Sequence, residues 1–488
     1  MASQQFEIEL KLELDARDAP KLQRYCRKAF RRGPVQMLES VYFDTPDHRL
    51  QRAGFTLRVR RIGERRIQTL KAAGDTTTGF SVRPEWEHDI TGDVPVLDLE
   101  SDLLRQFIPK RALADLRPVF RTVIRRQLFE AVAHGSRIEV ALDQGEVRIA
   151  RRKRALCEVE LELKHGKPSS LFKLARTIGA IAPVRLGVQS KAERGYALAR
   201  LAKSQPVKAE PVPLTAETTS ARALQAIAQS CLRHFRLNEA ILSAQDDAGA
   251  LHQTRVALRR LRSALTLFRP MLADARYDAL RSEIKSMAII LGAARNIDVL
   301  MTHLERQRMP QAVRIARQQA YAQVRAALDS PRWRAAMLDI ADWLAHGSWL
   351  TRPKNSSRCH EPIPDRAVRI LERSSRRLAR RGRGLARLDD TARHRVRIAA
   401  KKLRYAAEFF GVLFPDKAAK RRRKRFAETI EAMLDSLGEL NDHATASTLS
   451  NELGLPKSTP MRARDRKRLL TKAERQCEAL FEDTPFWQ

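Results

Sequence analysis

The 488-residue chain carries 92 lysines and arginines against 57 aspartates and glutamates, a formal net charge of +35. Its length predicts two to four domains, and a hydrophobic content of 43% is enough for ordinary globular cores. No apolar run approaches the ~20 residues that a membrane span needs. The five cysteines form no CxxC pair, which argues against a zinc site and against a disulfide framework.

The excess positive charge indicates a polyanionic partner: nucleic acid, an anionic membrane or a phosphate polymer. A solvated, arginine-rich surface without such a partner is the alternative explanation. The N-terminal segment lacks a basic stretch followed by an apolar run, so no signal peptide is predicted and we expect a cytoplasmic protein.

The first 200 residues show the alternation of β-strands. Apolar and charged residues alternate strictly over Phe6–Leu14, and similar short runs follow. A turn signal, Asp143-Gln-Gly145, separates two of them, Arg137–Leu142 and Val147–Ala150. Antiparallel strands at this spacing are typical of a sandwich or barrel. Helices are predicted at Arg17–Arg32, Ser169–Ile181 and Lys191–Ala202.

A proline-rich segment, Ser204–Pro213, follows the strands and predicts a linker over residues 203–217, between domains at 1–202 and 218–488. Beyond it the alternation gives way to helical patterns rich in Ala, Leu and Arg. An irregular stretch, Trp349–Pro364, divides the helical region into halves of about 218–348 and 365–485.

Each half contains a nearly identical basic motif, with a histidine and three cations at i, i+3, i+7 and i+10. Such residues lie along one face of a helix. Like charges on one face repel, so a row that is built twice predicts an anionic partner. A solvated face for the cations, and capped or core positions for the histidines, are the alternatives. The two rows are His252, Arg255, Arg259, Arg262 and His394, Arg397, Lys401, Arg404.

Each row is followed by a related Leu-Gly motif, Leu291-Gly292 in the first half and Leu437-Gly438 in the second. We interpret these motifs as turns that end the helices Tyr277–Leu291 and Lys420–Leu437. Because both the order and the spacing of the motifs repeat, a duplicated helical bundle is predicted.

Several predicted strands in the first region carry a charged face. The simple explanation is a polar face turned to water. If the strands instead close into a barrel, the charged faces point inward: clustered carboxylates suit Mg²⁺ or Mn²⁺, and opposing cations hold phosphate oxygens. That arrangement predicts metal-assisted phosphoryl transfer.

The ordered series of these motifs resembles the CYTH family, the triphosphate tunnel metalloenzymes, over about residues 4–202. The resemblance implies an antiparallel eight-stranded tunnel barrel with flanking helices, which hydrolyses or cyclises triphosphates with Mg²⁺ or Mn²⁺. The motifs include Glu7-x-Glu9-x-Lys11, Tyr42-Phe-Asp44-Thr-Pro46, Leu57-Arg58-Val-Arg60, Gln68-Thr-Leu-Lys71, Arg83-x-Glu85-Trp-Glu87, Glu158-x-Glu160-Leu-Glu162 and Ser190-Lys191.

The resemblance also implies roles for individual residues. Glu158 or Glu87 would orient or activate the attacking water, and Lys71 is assigned a catalytic role as well as a phosphate contact. Arg125 and Arg121 compete for one further phosphate contact, because the phase of that strand is ambiguous. The implied metal ligands are Glu7, Glu9, Glu160 and Glu162. The implied phosphate ligands are Lys11, Arg58, Arg60, Lys71, Arg83, Arg125 and Lys191.

The helical region resembles the CHAD domain, a conserved-histidine α-helical domain, over about residues 218–485. This resemblance implies two pseudo-twofold-related four-helix bundles that bind inorganic polyphosphate through the two basic rows. We therefore expect an enzyme that hydrolyses inorganic triphosphate to pyrophosphate and phosphate and that binds polyphosphate. Association with polyphosphate granules stays open, as does the oligomeric state.

Three alternatives remain. The tunnel could serve a nucleoside or thiamine triphosphatase or a nucleotide cyclase, although the sequence shows no marker for a base or thiazole pocket. The protein could bind polyphosphate without catalysis, although the complete acidic set argues against this. It could bind RNA, but an aromatic content of 6% argues against base stacking.

Overall fold

The computed structural model describes residues 5–72, 75–77, 80–96, 115–200, 205–272, 274–304, 309–455 and 461–488. The chain divides into two compact units. The first comprises residues 1–205 together with 330–346, and the second comprises residues 206–329 together with 347–488.

The described part of the first unit contains one antiparallel sheet of ten strands, in the order β10-β1-β9-β8-β7-β2-β3-β4-β6-β5. Because β1 also pairs with β6, eight of these strands close into a ring, and the expected eight-stranded tunnel barrel is confirmed. The short strands β5 and β10 are attached to β6 and β1. The strands are β1 Gln5–Leu14, β2 Arg31–Asp44, β3 Thr56–Ile62, β4 Arg65–Lys71, β5 Asp75–Thr77, β6 Phe80–Ile90, β7 Arg117–Ala133, β8 Ser136–Ile149, β9 Arg152–His165 and β10 Val184–Leu186.

The turn predicted at Asp143-Gln-Gly145 is wrong, because β8 runs through it without interruption. Asp143 is completely buried within the strand. Gly145 allows the close approach of β7: a Cβ atom at this position would lie 2.0 Å from the carbonyl oxygen of Val123. The glycine therefore serves strand packing here and does not form a turn.

The described residues of the first unit form five helices. They are Ala19–Ala29, Arg49–Arg52, Ser169–Ile181, Lys191–Ala199 and Pro331–His346. Helix Ser169–Ile181 helps to bury the outer apolar face of the barrel, where Leu10 and Leu12 are fully enclosed. Lys191–Ala199, here called the inner helix, instead packs through Tyr196 against the face that carries Tyr42.

Helix Pro331–His346 belongs to the first unit, although the predicted domain bounds place it in the helical region. Leu338 and Ala341 are buried in the same apolar cluster as Leu174. Arg176 donates hydrogen bonds to Asp339 Oδ1 at 2.8 Å and to Asp342 Oδ2 at 2.6 Å. The helix thus contributes both apolar and charged contacts to the first unit.

The second unit is all-helical over the residues that the structure describes, as expected, with four long helices in each half. None of the helices in the described ranges has the length and apolar character of a membrane span. The long helices are Ser220–Ala244, Ala248–Leu267, Ala275–His303 and Gln311–Leu328, then Ile363–Gly382, Asp390–Phe410, Lys417–Glu452 and Ala463–Glu482. Shorter elements are Arg269–Leu272, Ser348–Leu350, Pro353–Asn355, Ser356–His360, Leu385–Arg387 and Gly411–Leu413.

The turns predicted at Gly292 and Gly438 are wrong, because each glycine lies inside a continuous helix. A glycine within a helix costs about 1 kcal/mol relative to alanine, which is why the pattern was read as a helix end. Here each glycine lies beneath an arginine. A Cβ at Gly292 would lie 3.5 Å from Nη1 of Arg255, and one at Gly438 would lie 3.7 Å from Nη2 of Arg397.

The described part of the predicted linker packs on the second unit. The backbone of Val207 exchanges two hydrogen bonds with the side chain of Asn238. Further along, Val212 and Leu214 are buried.

Candidate functional site

A cavity of about 490 Å³ lies in the first unit, and its charged lining comes from the barrel strands and the inner helix. The lining contains six glutamates and seven lysines or arginines: Glu7, Glu9, Glu85, Glu87, Glu160, Glu162, Lys11, Arg58, Arg60, Lys71, Arg126, Lys164 and Lys191. Burying charges of one sign alone would cost more than burying this near-balanced set. The balance leaves a strongly polar space.

Three carboxylates and three cations form a continuous ion-pair network at one side of this cavity. Asp143 accepts two hydrogen bonds from Arg126, at 2.8 and 2.7 Å, and its other close partner is Lys191 Nζ at 2.8 Å. Glu158 accepts from Lys191 at 2.6 Å, and neither Asp143 nor Glu158 is exposed. These two carboxylates therefore hold lining cations from behind. The full network is Asp143, Glu158, Glu160, Lys11, Arg126 and Lys191.

The network keeps Glu160 and Lys11 charged. Burial raises the pKa of Glu160, but the charges of Lys11, Lys191 and Arg126 outweigh burial and hold that pKa well below its usual range. Burial likewise lowers the pKa of Lys11, and the attraction of Glu160 outweighs it, so the pKa lies well above its ordinary value. The cations facing the cavity are therefore charged at neutral pH.

One wall of the cavity presents carboxylates. Glu9 and Glu162 are paired directly across β1 and β9, and Glu7 lies two residues from Glu9 on the same strand face. Like charges placed opposite each other destabilise a sheet unless a cation offsets them. Burial raises the pKa of Glu162, with a further contribution from Glu7, while Lys164 at 2.6 Å opposes the rise. Hard carboxylate donors grouped in this way suit Mg²⁺ or Mn²⁺.

A second group of acids, Asp143, Glu158 and Glu160, also brings its oxygens within 4.8 Å of one another. Both oxygens of Glu160 already accept hydrogen bonds, one from Lys11 and Lys191 and the other from Arg126. This group therefore fits a role in holding cations better than a role as a metal centre.

The opposite wall presents cations. Burial, followed by the charges of Arg58 and Arg126, lowers the pKa of Arg60 to about 10. These guanidinium groups are closer together than their mutual repulsion favours, so a bound anion would relieve the repulsion. Lys71 lies 2.6 Å from Glu7 and therefore joins the two walls.

In the second unit, cations from both halves meet. We define the central basic cluster as Arg255, Arg259, Arg295, Arg397 and Lys401. Burial, then the charges of Arg259 and Arg397, lower the pKa of Lys401 to about 6, although Asp442 opposes this. Burial, followed by Arg295 and Arg259, lowers the pKa of His252 to about 4. A half-buried group of like charges is a candidate site for a polyanion.

Comparison with known families identifies both units. Residues 5–196 match the CYTH domain, and residues 226–450 match the CHAD domain. The chain carries a CYTH domain followed by a CHAD domain.

The chain is also similar to individual proteins. An inorganic triphosphatase of Haemophilus influenzae is 31% identical over 198 residues, which are 39% of this chain and 54% of that protein. The chain thus matches about half the length of this relative. The solved CHAD domain from Ricinus communis is 28% identical, covers 57% of this chain and 93% of its own, and has a TM-score of 0.45. The Hippeastrum protein HpAC1, described with a dominant triphosphatase activity, is 19% identical, covers 39% and 95%, and has a TM-score of 0.32.

Most of the predicted site residues of the CYTH domain line its cavity. They are Glu7, Glu9, Lys11, Arg58, Arg60, Lys71, Glu87, Glu160, Glu162 and Lys191. The backbone of Arg83 pairs with Glu7, and its side chain lies outside the described part of the structure. Glu158 lies behind the lining, so its position does not support contact with an attacking water. Glu87 does line the cavity and accepts a hydrogen bond from Thr69 at 3.0 Å.

Of the arginines on this strand, Arg126 lines the cavity, whereas the prediction named Arg125 or Arg121. Phe120 and Ile124 share its strand face and pack with the inner helix. The pattern of charged strand faces predicts an interior lined by charged residues, so it leaves the phase of β7 ambiguous. Phe120, Ile124 and Arg126 lie on one face of β7. This phase follows from the sequence once part of the barrel interior is taken to be apolar.

Tyr42 and Glu85, to which the sequence assigned no role, also line the cavity. Glu85 follows the alternation of Glu87, so its signal was present. Tyr42 stacks on Phe120 with ring centroids 4.5 Å apart. Burial raises the pKa of Tyr42, but the charges of Arg58 and Arg60 outweigh it and lower the pKa below its ordinary value.

Not all eight predicted polyanion ligands of the CHAD domain lie together. The charge of Arg404 lowers the pKa of Lys401, and its Cζ atom lies 4.6 Å from the ring centroid of Tyr405. Arg262 lies instead near Arg281 and Lys402, and His394 is exposed. Arg295, which the sequence analysis missed, comes from the helix that contains Gly292. The residues that do meet are His252, Arg255, Arg259, Arg397, Lys401 and Arg404.

Proposed function

We propose that the CYTH domain hydrolyses inorganic triphosphate to pyrophosphate and phosphate with Mg²⁺ or Mn²⁺, and that the CHAD domain binds inorganic polyphosphate. The observation that carries the proposal is the cavity lining, with cations on one wall and carboxylates on the other. A compact, highly charged chain of phosphates with a divalent cation matches both signs. The inorganic triphosphatase among the relatives supports the same substrate.

The cationic wall would bind the phosphates. Arg58 and Arg60 can each offer two parallel N–H donors to phosphate oxygens, and Arg126, whose Nε and Nη2 already donate to Asp143 and Glu160, can offer its Nη1. Lys11 and Lys191 add point charges from the buried network. Because these groups are already held by carboxylates, little side-chain freedom is lost on binding.

The carboxylate wall fits a divalent cation. Glu7, Glu9 and Glu162 would hold it. Glu160, the fourth predicted ligand, already accepts from Lys11, Lys191 and Arg126 and would keep these cations directed at the phosphates. When bound, the metal neutralises phosphate charge and lowers the pKa of a coordinated water. Glu87 would orient the attacking water, and Lys71 and Arg58 would stabilise the charge that develops on the leaving pyrophosphate.

The lining favours an inorganic substrate over a nucleotide. Among the described lining residues, the aromatic side chain is Tyr42, which is 2% exposed and already stacked on Phe120. It offers little surface for a base. A nucleotide would have to leave its base in the solvent or against charged groups.

The CHAD half of the proposal rests on the central basic cluster. Cations from both halves of the domain converge there. The negative charge of Asp442 raises the pKa values of Arg255, Arg397 and Lys401, but burial and the neighbouring cations outweigh it. A polyphosphate chain would relieve this repulsion over several residues at once. Binding should weaken steeply with salt, because released counter-ions carry much of the affinity.

The first test is phosphate release from inorganic triphosphate, ATP, thiamine triphosphate and long-chain polyphosphate, with Mg²⁺, Mn²⁺ or chelator. Wild type is compared with Glu9→Gln and with Glu39→Gln, a matched control in an exposed ion pair. We expect metal-dependent release from triphosphate well above that from ATP, lost only in Glu9→Gln. Preferred release from ATP or thiamine triphosphate would contradict the inorganic substrate, and full activity of Glu9→Gln would contradict the metal wall.

The second test measures polyphosphate affinity against salt concentration. Replacing Arg255, Arg259, Arg397 and Lys401 with Ala should weaken binding and flatten the salt dependence, with triphosphate hydrolysis retained. The control replaces four exposed cations of the last helix, Arg464, Lys467, Arg468 and Lys472, with Ala. Equal losses in the two variants would indicate nonspecific charge attraction instead of a site.

A further inference from the structure

A second cavity, in the CHAD domain, is mainly apolar. Its volume is about 680 Å³, within the range of small-molecule sites. It lies between the C-terminal end of helix Asp390–Phe410, the first part of helix Lys417–Glu452 and the segment 209–212. The apolar lining includes Val212, Val412, Phe414, Pro415, Phe426 and Ile430.

Aromatic side chains pack against the apolar lining of this cavity. Phe414 and Phe426 each contact Phe486, with ring centroids 5.6 and 5.7 Å apart. Trp487 packs on Phe426 at 5.7 Å and is 5% exposed. By contrast, Val412 lines the same cavity and is 45% exposed, which is a cost for a large apolar side chain without a partner.

Cations surround this apolar surface. Arg404, Lys420, Arg423 and Lys424 line the cavity. Arg423 donates a hydrogen bond to the carbonyl oxygen of Gly411, a neutral partner that leaves its charge uncompensated. Gly411 is needed for this arrangement, because a Cβ there would lie 2.6 Å from Cδ of Arg423.

Acidic residues do not cancel the positive rim. Two glutamates, Glu408 and Glu431, line the cavity beside the four cations. Glu408 is already paired with the buried Arg260. The rim therefore keeps an excess of positive charge next to an apolar interior.

We propose that this pocket binds an amphipathic anion, an alkyl chain with one phosphate or carboxylate head. The chain would cover Val412, Phe426 and Ile430, and the head would meet the cationic rim. Inorganic polyphosphate lacks the apolar body that such a lining requires, so this site is distinct from the central basic cluster. The inference is independent of the proposed hydrolysis.

The test is calorimetric titration of the full-length protein with decyl phosphate, kept below the concentration at which micelles form. We expect saturable one-to-one binding, at least roughly tenfold tighter than that of butyl phosphate because the longer chain buries more apolar surface. Fluorescence of Trp487 should change on binding, and Trp487→Phe should remove that change. Decanoate distinguishes a carboxylate head from a phosphate head, and saturable binding of either supports the site.

Two variants and one control decide the outcome. Val412→Trp should fill the pocket and weaken binding roughly tenfold. Lys424→Glu should weaken the binding of decyl phosphate but not the binding of a neutral decyl glycoside. Val132→Trp, at an 82% exposed position of the CYTH domain, is the matched control and should bind as wild type does. Absence of saturable binding, equal binding of decyltrimethylammonium, or unchanged affinity in both Val412→Trp and Lys424→Glu would overturn the proposal.

Discussion

Arg255 lies across the backbone of Gly292. Its Nη1 atom donates to the carbonyl oxygen of Gly292 at 2.8 Å and to that of Leu291 at 3.1 Å. A corresponding close approach joins Arg397 and Gly438 in the other half. The glycines inside these helices thus set the position of two arginines in the central basic cluster.

Substitution of Gly292 should separate helix stability from polyanion binding. A Cβ fits at 3.5 Å from Arg255, so Gly292→Ala should keep polyphosphate affinity and stabilise the helix by up to about 1 kcal/mol. The larger side chain in Gly292→Leu should displace Arg255 and weaken binding roughly tenfold. Thermal unfolding and titration with polyphosphate measure both effects. Equal affinities of the Ala and Leu variants would show that the position of Arg255 does not matter.

Arg126 and its neighbour Arg125 provide a matched pair for the CYTH domain. Arg126→Lys keeps the charge but loses the two-pronged contact with Asp143, so phosphate binding should suffer. We expect KM for inorganic triphosphate to rise roughly tenfold with a smaller change in kcat. Arg125→Lys should behave as wild type, and a comparable rise in KM for that variant would show that the assigned phase of β7 is wrong.

Lys401 should make polyphosphate binding depend on pH. Its pKa is about 6 in the free protein, against an ordinary value of 10.5, and a bound polyanion raises it. Binding at pH 7–8 should therefore take up a proton, and affinity should rise by up to about tenfold per unit as pH falls from 8 to 6, then level off. Calorimetry in buffers of different ionisation enthalpy measures the uptake.

Two variants test this assignment. Lys401→Arg should remove one proton of the uptake, whereas Lys467→Arg on an exposed helix face should not. The lowered pKa also has a stability consequence: between pH 6 and 10.5 the unfolded chain binds more protons at this site, so its contribution to folding stability falls as pH falls and becomes constant below pH 6. Proton uptake that is unchanged in Lys401→Arg would rule out this lysine as its source.

Helix Pro331–His346 should stabilise the CYTH domain. Leu338 is 3% exposed within the barrel-covering cluster, and Leu338→Ala should cost about 2–5 kcal/mol. Hydrogen exchange should speed up in helix Ser169–Ile181 and strand β1. Val132→Ala, at an exposed position of the same unit, serves as control. Acceleration confined to the second unit would contradict the role of this helix.

Sequence periodicity predicted the barrel and the helical halves because each element has one continuous apolar face. Strand β1 is an example: strict alternation buries Leu10 and Leu12 outside the barrel and turns Glu9 and Lys11 inward. Local sequence patterns were sufficient to predict an element wherever its apolar face packs on an apolar surface.

The wrong predictions concern residues whose role depends on a contact with a residue distant in sequence. Gly292 resembles a helix end unless Arg255 is known to lie above it. Asp143 resembles a turn residue unless its buried partners Arg126 and Lys191 are known. A single sequence contains the residues of these pairs but not their pairing.

The chain passes between the two units three times, at residues 205–206, 329–330 and 346–347. A protease cut in the proline-rich segment would sever the peptide connection between the barrel strands and the rest of the chain. Helix Pro331–His346 would still hold to the barrel through the buried Leu338 and Ala341 and the hydrogen bonds of Arg176, so the nicked protein should stay a single particle until it is denatured. Neither domain can be excised with all of its elements as one uninterrupted stretch of sequence, and gene fragments that end at the linker would leave the barrel without one of its own helices.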